Sequence, residues 1–324
     1  MKLSLKFVGL LVLLSGVFAL QLWIGMDFSR WQNSDSPISL LLWQFRLPAA
    51  IAATLGGGLL SVAGLQMQTF FRNALAGPYV TGVSSGASLG VALLVFVSGI
   101  FSWQLSSVWL TFFFAVLGAL FVCSLVFFIA AKLRSNASLL LVGLMIAGLS
   151  GAVVELLQLV MSNVGLRSYY LWTQGSFYTV GYEQLVVLSG VFVFIVILSL
   201  ALSGSLDKLL LGDEVAQLSG LNLKQTRALA IISAAVSAGV VTAFCGPIGF
   251  VGLAVPHIAR MLFKTNLHLP LTAACFLLGG VVCGLCNALA LSNVFGLMIP
   301  VNILTAMLGS PFVIWLIYKQ NSAT

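Results

Sequence analysis

Charge is nearly missing from this sequence. Asp and Glu supply 7 of its 324 residues and Lys and Arg 14, so that 6% is charged against 60% hydrophobic, with a mean hydropathy of +1.14. A soluble α domain needs polar stripes at the helical period to meet water, and no such stripes run through this chain. The net charge of +7 does not point to nucleic acid, because the basic residues stand singly between apolar runs and form no basic face. Cysteine chemistry is equally thin. Cys123, Cys245, Cys275, Cys283 and Cys286 fall in apolar runs or at their ends, and Cys283 with Cys286 makes one CxxC with no second pair and no clustered His. These thiols read as small apolar core residues, and no metal site is expected.

What the chain does have is repeated apolar runs of about 20 residues, the length that crosses a bilayer. They cover residues 5–24, 46–70, 80–100, 109–131, 138–162, 185–202, 228–245, 250–263, 269–291 and 299–318. The expected fold is all-α: a polytopic membrane protein of about ten transmembrane helices, forming one domain over residues 1–324. The eighth run is too short to cross as a straight helix. With the amino end inside, Lys2, Lys6, Arg72, Lys132, Arg134, Lys208, Lys224, Arg227, Arg260, Lys264 and Lys319 fall in the cytoplasm, and only Arg30, Arg46 and Arg167 fall outside. That asymmetry is the positive-inside bias, and it places both termini in the cytoplasm. Lys2 and Lys6 before an apolar run also fit a signal peptide. A retained anchor is the better reading, since no clear small-x-small site follows and the run continues through Trp23.

One stretch breaks the apolar pattern. Residues 205–227, SLDKLLLGDEVAQLSGLNLKQTR, carry Asp207, Lys208, Asp213, Glu214, Lys224 and Arg227. Long apolar runs flank it, so it must meet water or a partner rather than hydrocarbon. Helix formers over 213–218, a break at Gly220 and Asn222 as a cap for the next helix make it a cytoplasmic handle.

Small residues mark where helices pack. The second run holds Gly56, Gly57, Gly58, Ser61 and Gly64, and the third holds Gly82, Gly86 and Gly90, a double GxxxG. Gly82 to Gly86 also reads as GxSxG, but that pattern makes a nucleophile only on a strand-to-helix elbow, and here it lies in an apolar helical run. An intramembrane hydrolase using Ser84 and His257 is the remote alternative, and it requires those side chains to be adjacent. A secondary transporter driven by Glu155 is another, and it has no use for the charged insert.

Broken backbone marks a second informative region. Between Cys245 and Arg260 stand Pro247, Pro256, Gly246, Gly249 and Gly252, which forbid one straight helix; such backbone survives at membrane depth only where it lines a cavity or is covered by protein. Gly77-Pro78 through Gly82 echoes Gly246-Pro247 through Gly252, as an inverted repeat would. Glu155, with Gln158 near it, is expected at membrane depth facing a water-filled interior. Tyr169, Tyr170 and Trp172 form an aromatic interface cluster, and Asn287, Asn293 and Asn302 add polar groups to the last spans.

Together several motifs carry a resemblance. Arg46-Leu47-Pro48, Gln68 with Arg72-Asn73, Leu75-Ala76 and Pro78, Gly82-Val83-Ser84-Ser85-Gly86-Ala87, Leu211-Gly212-Asp213 with Ala216 and Gly220, Phe250-Val251-Gly252-Leu253 with Pro256-His257 and Arg260, and Gly309 with Pro311-Phe312 are similar to the FecCD-type permease subunits of binding-protein-dependent ABC importers for ferric siderophores, heme and cobalamin. The resemblance spans essentially the whole chain. It implies the type II importer permease fold in the bacterial inner membrane, a second permease subunit in a homodimer or heterodimer, and a pair of cytoplasmic ATPase subunits that bind ATP and Mg. This chain would bind no cofactor and would not be an enzyme. A periplasmic or lipid-anchored binding protein would deliver the cargo, with a ferric siderophore expected first and heme or cobalamin as alternatives. Gly212, Asp213, Glu214, Ala216, Gln217 and Gly220 would seat in the ATPase. Glu155, Gln158, Trp172, Gly252, Pro256 and Asn302 would line the pathway, and Arg46, Arg30 and Arg167 would dock the binding protein. The chain departs from the family pattern at Ala49, Ala74, Asn287, Leu291 and 298–302, which weakens the docking expectation.

Overall fold

A computed structural model describes residues 2–24, 37–79, 82–101, 107–130, 136–292 and 299–321, and all regular structure among them is helical. The helices are α1 (Lys2–Trp23), α2 (Pro37–Leu41), which passes through a π turn (Leu42–Arg46) into α3 (Leu47–Phe71), α4 (Val83–Ile100), α5 (Val108–Ala130), α6 (Asn136–Val160), α7 (Asn163–Thr173), α8 (Tyr182–Leu210), α9 (Asp213–Leu218), α10 (Leu223–Cys245), α11 (Val251–Phe263), α12 (His268–Leu291) and α13 (Val301–Asn321). Each of the ten expected spans falls on a helix. Eight stretches are long and apolar enough to cross a bilayer, whereas Val251–Phe263 and Val301–Trp315 are shorter.

Burial sorts the bundle into an inside and an outside. The α3 span is 78% buried, α10 72% and α12 61%, against 11% for α1 and 17% for α5. On the outer helices Leu117, Phe121 and Phe128 of α5 and Val186, Phe194 and Ile197 of α8 are exposed, an apolar surface that water does not tolerate and lipid does.

Glycine lets the central helices touch through their backbones. A Cβ on Gly64 of α3 would overlap the carbonyl oxygen of Gly252 in α11, and one on Gly86 of α4 would stand 2.8 Å from the Val122 Cβ of α5. Gly90 lies against Phe114 of α5, and Gly82 against Val122 and Gly143. In lipid this close approach is the main source of packing energy.

The short eighth span crosses by a broken path. Cys245, at the end of α10, accepts from Ser176 N (2.8 Å), and Gly249 N donates to Asn302 Oδ1 (3.2 Å) at the start of α13. From there 246–250 runs inward without helix, and α11 covers the remaining ~20 Å at 1.5 Å per residue. It ends where Lys6 Nζ donates to the Leu262 carbonyl (2.7 Å), beside the first turns of α1. Parity is therefore kept by half a helix and an extended entry. The stretch 73–79 breaks the helical path from the other side: α3 ends at Phe71, Pro78 packs on Gly252 in the bundle interior, and α4 begins at Val83, with Gly82 facing Val122 two turns short of the end of α5. The two broken segments enter from opposite ends and meet.

α1 belongs to the bundle. It lies along α12, where Asn287 Nδ2 donates to Gln21 Oε1 (2.9 Å), both residues being buried.

Candidate functional site

At one end of the bundle, called here the α9 end, residues 205–227 are more helical than the sequence reading allowed. α8 continues through Leu210, so the insert comprises its last turn, α9 and the first turn of α10. Gly212 turns the chain at φ +111°, which excludes a Cβ without strain. After α9, Gly220 (φ +77°) reverses it, with Gly220 N on Gln217 O (2.9 Å) and Leu221 N on Ala216 O (3.1 Å) closing the helix. Asn222 Oδ1 accepts from Gln225 N (3.1 Å) and caps α10.

The expected coupling residues divide by what they touch. Ala216 is fully buried with Leu202, Leu206, Leu209 and Ala230 and seats α9 on the bundle. The Asp213 carboxylate accepts from Arg72, just past α3, and from Arg227 Nη2 (2.7 Å) on α10. Glu214 and Gln217 face outward. Sequence reasoning passed over their apolar neighbours: Leu211 is 68% exposed, Val215 48% and Leu218 90%. Val215 and Leu218, three residues apart, share one face of α9, a pattern readable from sequence once the insert is taken as helical, while Leu211 stands before the Gly212 turn at the end of α8.

Where the broken segments meet, Leu60, Gly77, Pro78, Tyr79, Ile248, Phe250, Gly252 and Leu253 enclose a cavity of about 200 Å³. Phe250 has a left-handed backbone (φ +63°), a costly conformation for a bulky residue that the surrounding packing has to impose. Polar side chains fasten this region on its α9 side. Gln68 Nε2 donates to Leu253 O (3.1 Å), Arg260 Nη1 donates to Gln68 Oε1 (2.5 Å), and His257 Nε2 shares a hydrogen bond with Ala74 O (2.7 Å). His257 is thus engaged with a backbone carbonyl. Ser84, in the first turn of α4, has no hydrogen bond to it, and the nucleophile–base pair that the hydrolase alternative needs is not formed. Of the expected pathway residues, Gly252 walls the cavity, Pro256 is buried within α11 and Asn302 fastens Gly249.

At the far end, Gln158, Asn163, Leu166, Arg167, Tyr169, Tyr170 and Thr173 line a cleft of about 380 Å³. Burial pushes the Tyr169 phenol up to about 12, with a hydrogen bond to Ser88 opposing it, and Arg167 supplies the basic side chain of this cleft. Trp172 is half-buried beside Tyr169, its carbonyl against Gly246.

Glu155 lies in the last two turns of α6, within the apolar stretch 141–160 that is long enough to cross a bilayer; it is exposed, and among the described residues it makes no hydrogen bond or ion pair. One expectation is corrected here. Arg46 is not an outward docking cation: it is 7% exposed, and Nη1 donates to Leu22 O (3.1 Å) and Ile24 O (2.6 Å), closing the C-terminus of α1. Arg30, Lys132, Arg134 and Asn293 lie outside the described residues. The cysteines are free thiols, all but Cys123 buried, and among the described residues no three His, Cys, Asp or Glu side chains gather as a metal site.

The model of the FecCD transport family matches residues 5–319. The chain belongs to the FecCD transport family. Among curated FecCD relatives, the vitamin B12 import system permease protein BtuC of Vibrio cholerae is 37% identical over 94% of this chain and 89% of its own length. The hemin transport system permease protein HmuU of Yersinia pestis is 34% identical over 90% and 87%. A solved structure described as an inward-facing conformation of a metal-chelate type ABC transporter superposes with a TM-score of 0.86 at 32% identity, covering 98% of this chain and 99% of that one. This FecCD chain is accordingly the permease subunit of an ABC importer and not itself an enzyme.

Proposed function

We propose that this permease is driven from the α9 end by a cytoplasmic pair of ATPase subunits that bind ATP and Mg, and that a second permease subunit completes its translocation path. The observation that carries this reading is α9, a short helix pinned by Asp213 and Ala216 that presents Val215 and Leu218 beyond the bundle, with Leu211 exposed just before it at the end of α8. An exposed apolar face on an otherwise charged tip is what a protein groove covers. The α9 end then faces the cytoplasm, and so do both described termini, in the bacterial inner membrane. A periplasmic or lipid-anchored binding protein delivers cargo at the far end, where Arg167 and Gln158 line the cleft.

ATP can drive transport only if the inward- and outward-open states bind it with different affinity, and α9 is the contact through which that difference acts on this chain. The cavity between the broken segments lies where a small shift of either one opens or closes the interior.

For the cargo we propose a preformed metal chelate, a ferric siderophore being the expectation from the sequence. Cobalamin is the second reading, supported by the 37% identity to a vitamin B12 permease, and heme is carried by the hemin relative. The test is uptake by proteoliposomes holding the permease, its ATPase and its binding protein, offered labelled ferric siderophore, cobalamin and hemin separately. ATP-dependent accumulation of one chelate assigns the cargo. Accumulation of none, by a complex whose ATPase responds to the binding protein, would contradict the chelate reading.

A further inference from the structure

Asp207 is in the last turn of α8, six residues before α9, and it reaches sideways to α12. Its Oδ1 accepts from the backbone N of His268 (2.8 Å) and from His268 Nδ1 (2.6 Å). One carboxylate oxygen of α8 thereby caps the first turn of α12 and orients its first side chain. The imidazole, 1% exposed, places Nε2 2.7 Å from Thr69 Oγ1 in the last turn of α3. Thr69 is itself buried, with its hydroxyl 3.0 Å from Leu65 O. Three helices distant in sequence are thus joined by an unbroken chain of polar contacts, 29% exposed at Asp207 and buried at His268 and Thr69, where such bonds are strong and fix geometry.

Thr69 is three residues before Arg72, the residue that holds Asp213 of α9. α9 is therefore anchored to the end of α3 from both sides: directly through Asp213 and Arg72, and through the α8 stem by Asp207, His268 and Thr69. α3 is the helix whose Gly64 lies against Gly252 of α11 and whose Leu60 walls the cavity.

Resting on the ATP-driven reading above, we propose that Asp207, His268 and Thr69 form a positioning latch that makes α9, the end of α8, α12 and α3 move as one body when the ATPase moves α9. Without the latch, a push on α9 reaches α3 through Asp213 and Arg72 alone, and the last turn of α8 is free to bend away from α12. His268 and Thr69 are buried, out of reach of cargo and ATPase alike. Their role is read in the stoichiometry of transport rather than in binding.

The experiment uses the complete importer, permease with ATPase and binding protein, in proteoliposomes, and measures chelate moved per ATP hydrolysed for wild type, Asp207→Asn, His268→Gln and the double variant. The latch predicts ATP hydrolysis near the wild-type rate in each, with transport per ATP down about tenfold, and a double variant no worse than either single one, since both break one chain of contacts. Unchanged transport per ATP in assembled variants overturns the proposal, as do losses that add in the double variant. If neither substitution yields an assembled complex, Thr69→Val, which removes the contact to Nε2 together with the bond to Leu65 O inside α3 but keeps the side chain's shape, decides: transport per ATP at the wild-type value there overturns the latch. A wild-type complex that moves chelate without hydrolysing ATP would instead sink the ATP-driven reading.

Discussion

Gly64 of α3 and Gly252 of α11 meet backbone to backbone, so closely that a Cβ on the first would overlap the carbonyl oxygen of the second. A Cβ on Gly252 would stand 2.7 Å from Leu60 O and 3.0 Å from Pro78 Cδ. This contact sets how far the half-helix α11 sinks into the bundle, and with it the shape of the cavity beside Phe250.

Gly64→Ala is expected to push α11 off α3 and to cost at least about 1–3 kcal/mol, the usual range for overpacking, since backbone has little room to give. The check is thermal unfolding in detergent. Gly16→Ala on α1 is the control: nothing lies within 4 Å of the Cβ it would add, so its midpoint should stay at the wild-type value.

The two far-end arginines are expected to fail differently. Arg46→Ala removes the donor to Leu22 and Ile24 and should lower stability by about 2 kcal/mol. Arg167→Ala should leave the midpoint unchanged and reduce the stimulation of ATPase activity by the binding protein. Equal thermal stability of the two variants would contradict the distinction.

Asp213 sits between Arg72 and Arg227, with side chains 35%, 39% and 34% exposed for Arg72, Asp213 and Arg227. Water screens pairs this exposed, so Asp213→Ala should cost no more than about 1 kcal/mol of stability. The same change frees the first turn of α9, and transport by the assembled importer should drop several-fold. Uptake at the wild-type rate would show that α9 needs no such anchor.

Leu218, 90% exposed, contributes little to the isolated fold. Leu218→Asp should change stability by less than about 0.5 kcal/mol. It should weaken binding of the ATPase by about 2 kcal/mol, roughly 30-fold, in a titration of detergent-solubilised permease with purified ATPase.

The spans were legible because a bilayer imposes length and polarity on each one separately, and that information is local. The insert was legible for the same reason, as was its cap Asn222. The path of α11 was not: residues 246–263 show that a helix breaks, but only Ser176, Asn302 and Lys6, far away in sequence, show that the broken segment still joins the two ends. Arg46 misled because an arginine beside a span end serves equally well as a docking cation or as a cap for a neighbouring helix, and the choice rests on where α1 ends. The contacts of Asp207 with His268 and of Arg72 with Asp213 join residues 61 and 141 positions apart and have no periodic signature.

ATP-dependent chelate accumulation in proteoliposomes containing the permease, ATPase and binding protein tests the central claim most directly, comparing wild type with a chain in which Leu211, Val215 and Leu218 are all replaced by Ser. Wild type should accumulate chelate only with ATP, and the triple variant should insert and fold yet accumulate none. Accumulation without ATP, or by the triple variant at the wild-type rate, would contradict a permease driven through α9.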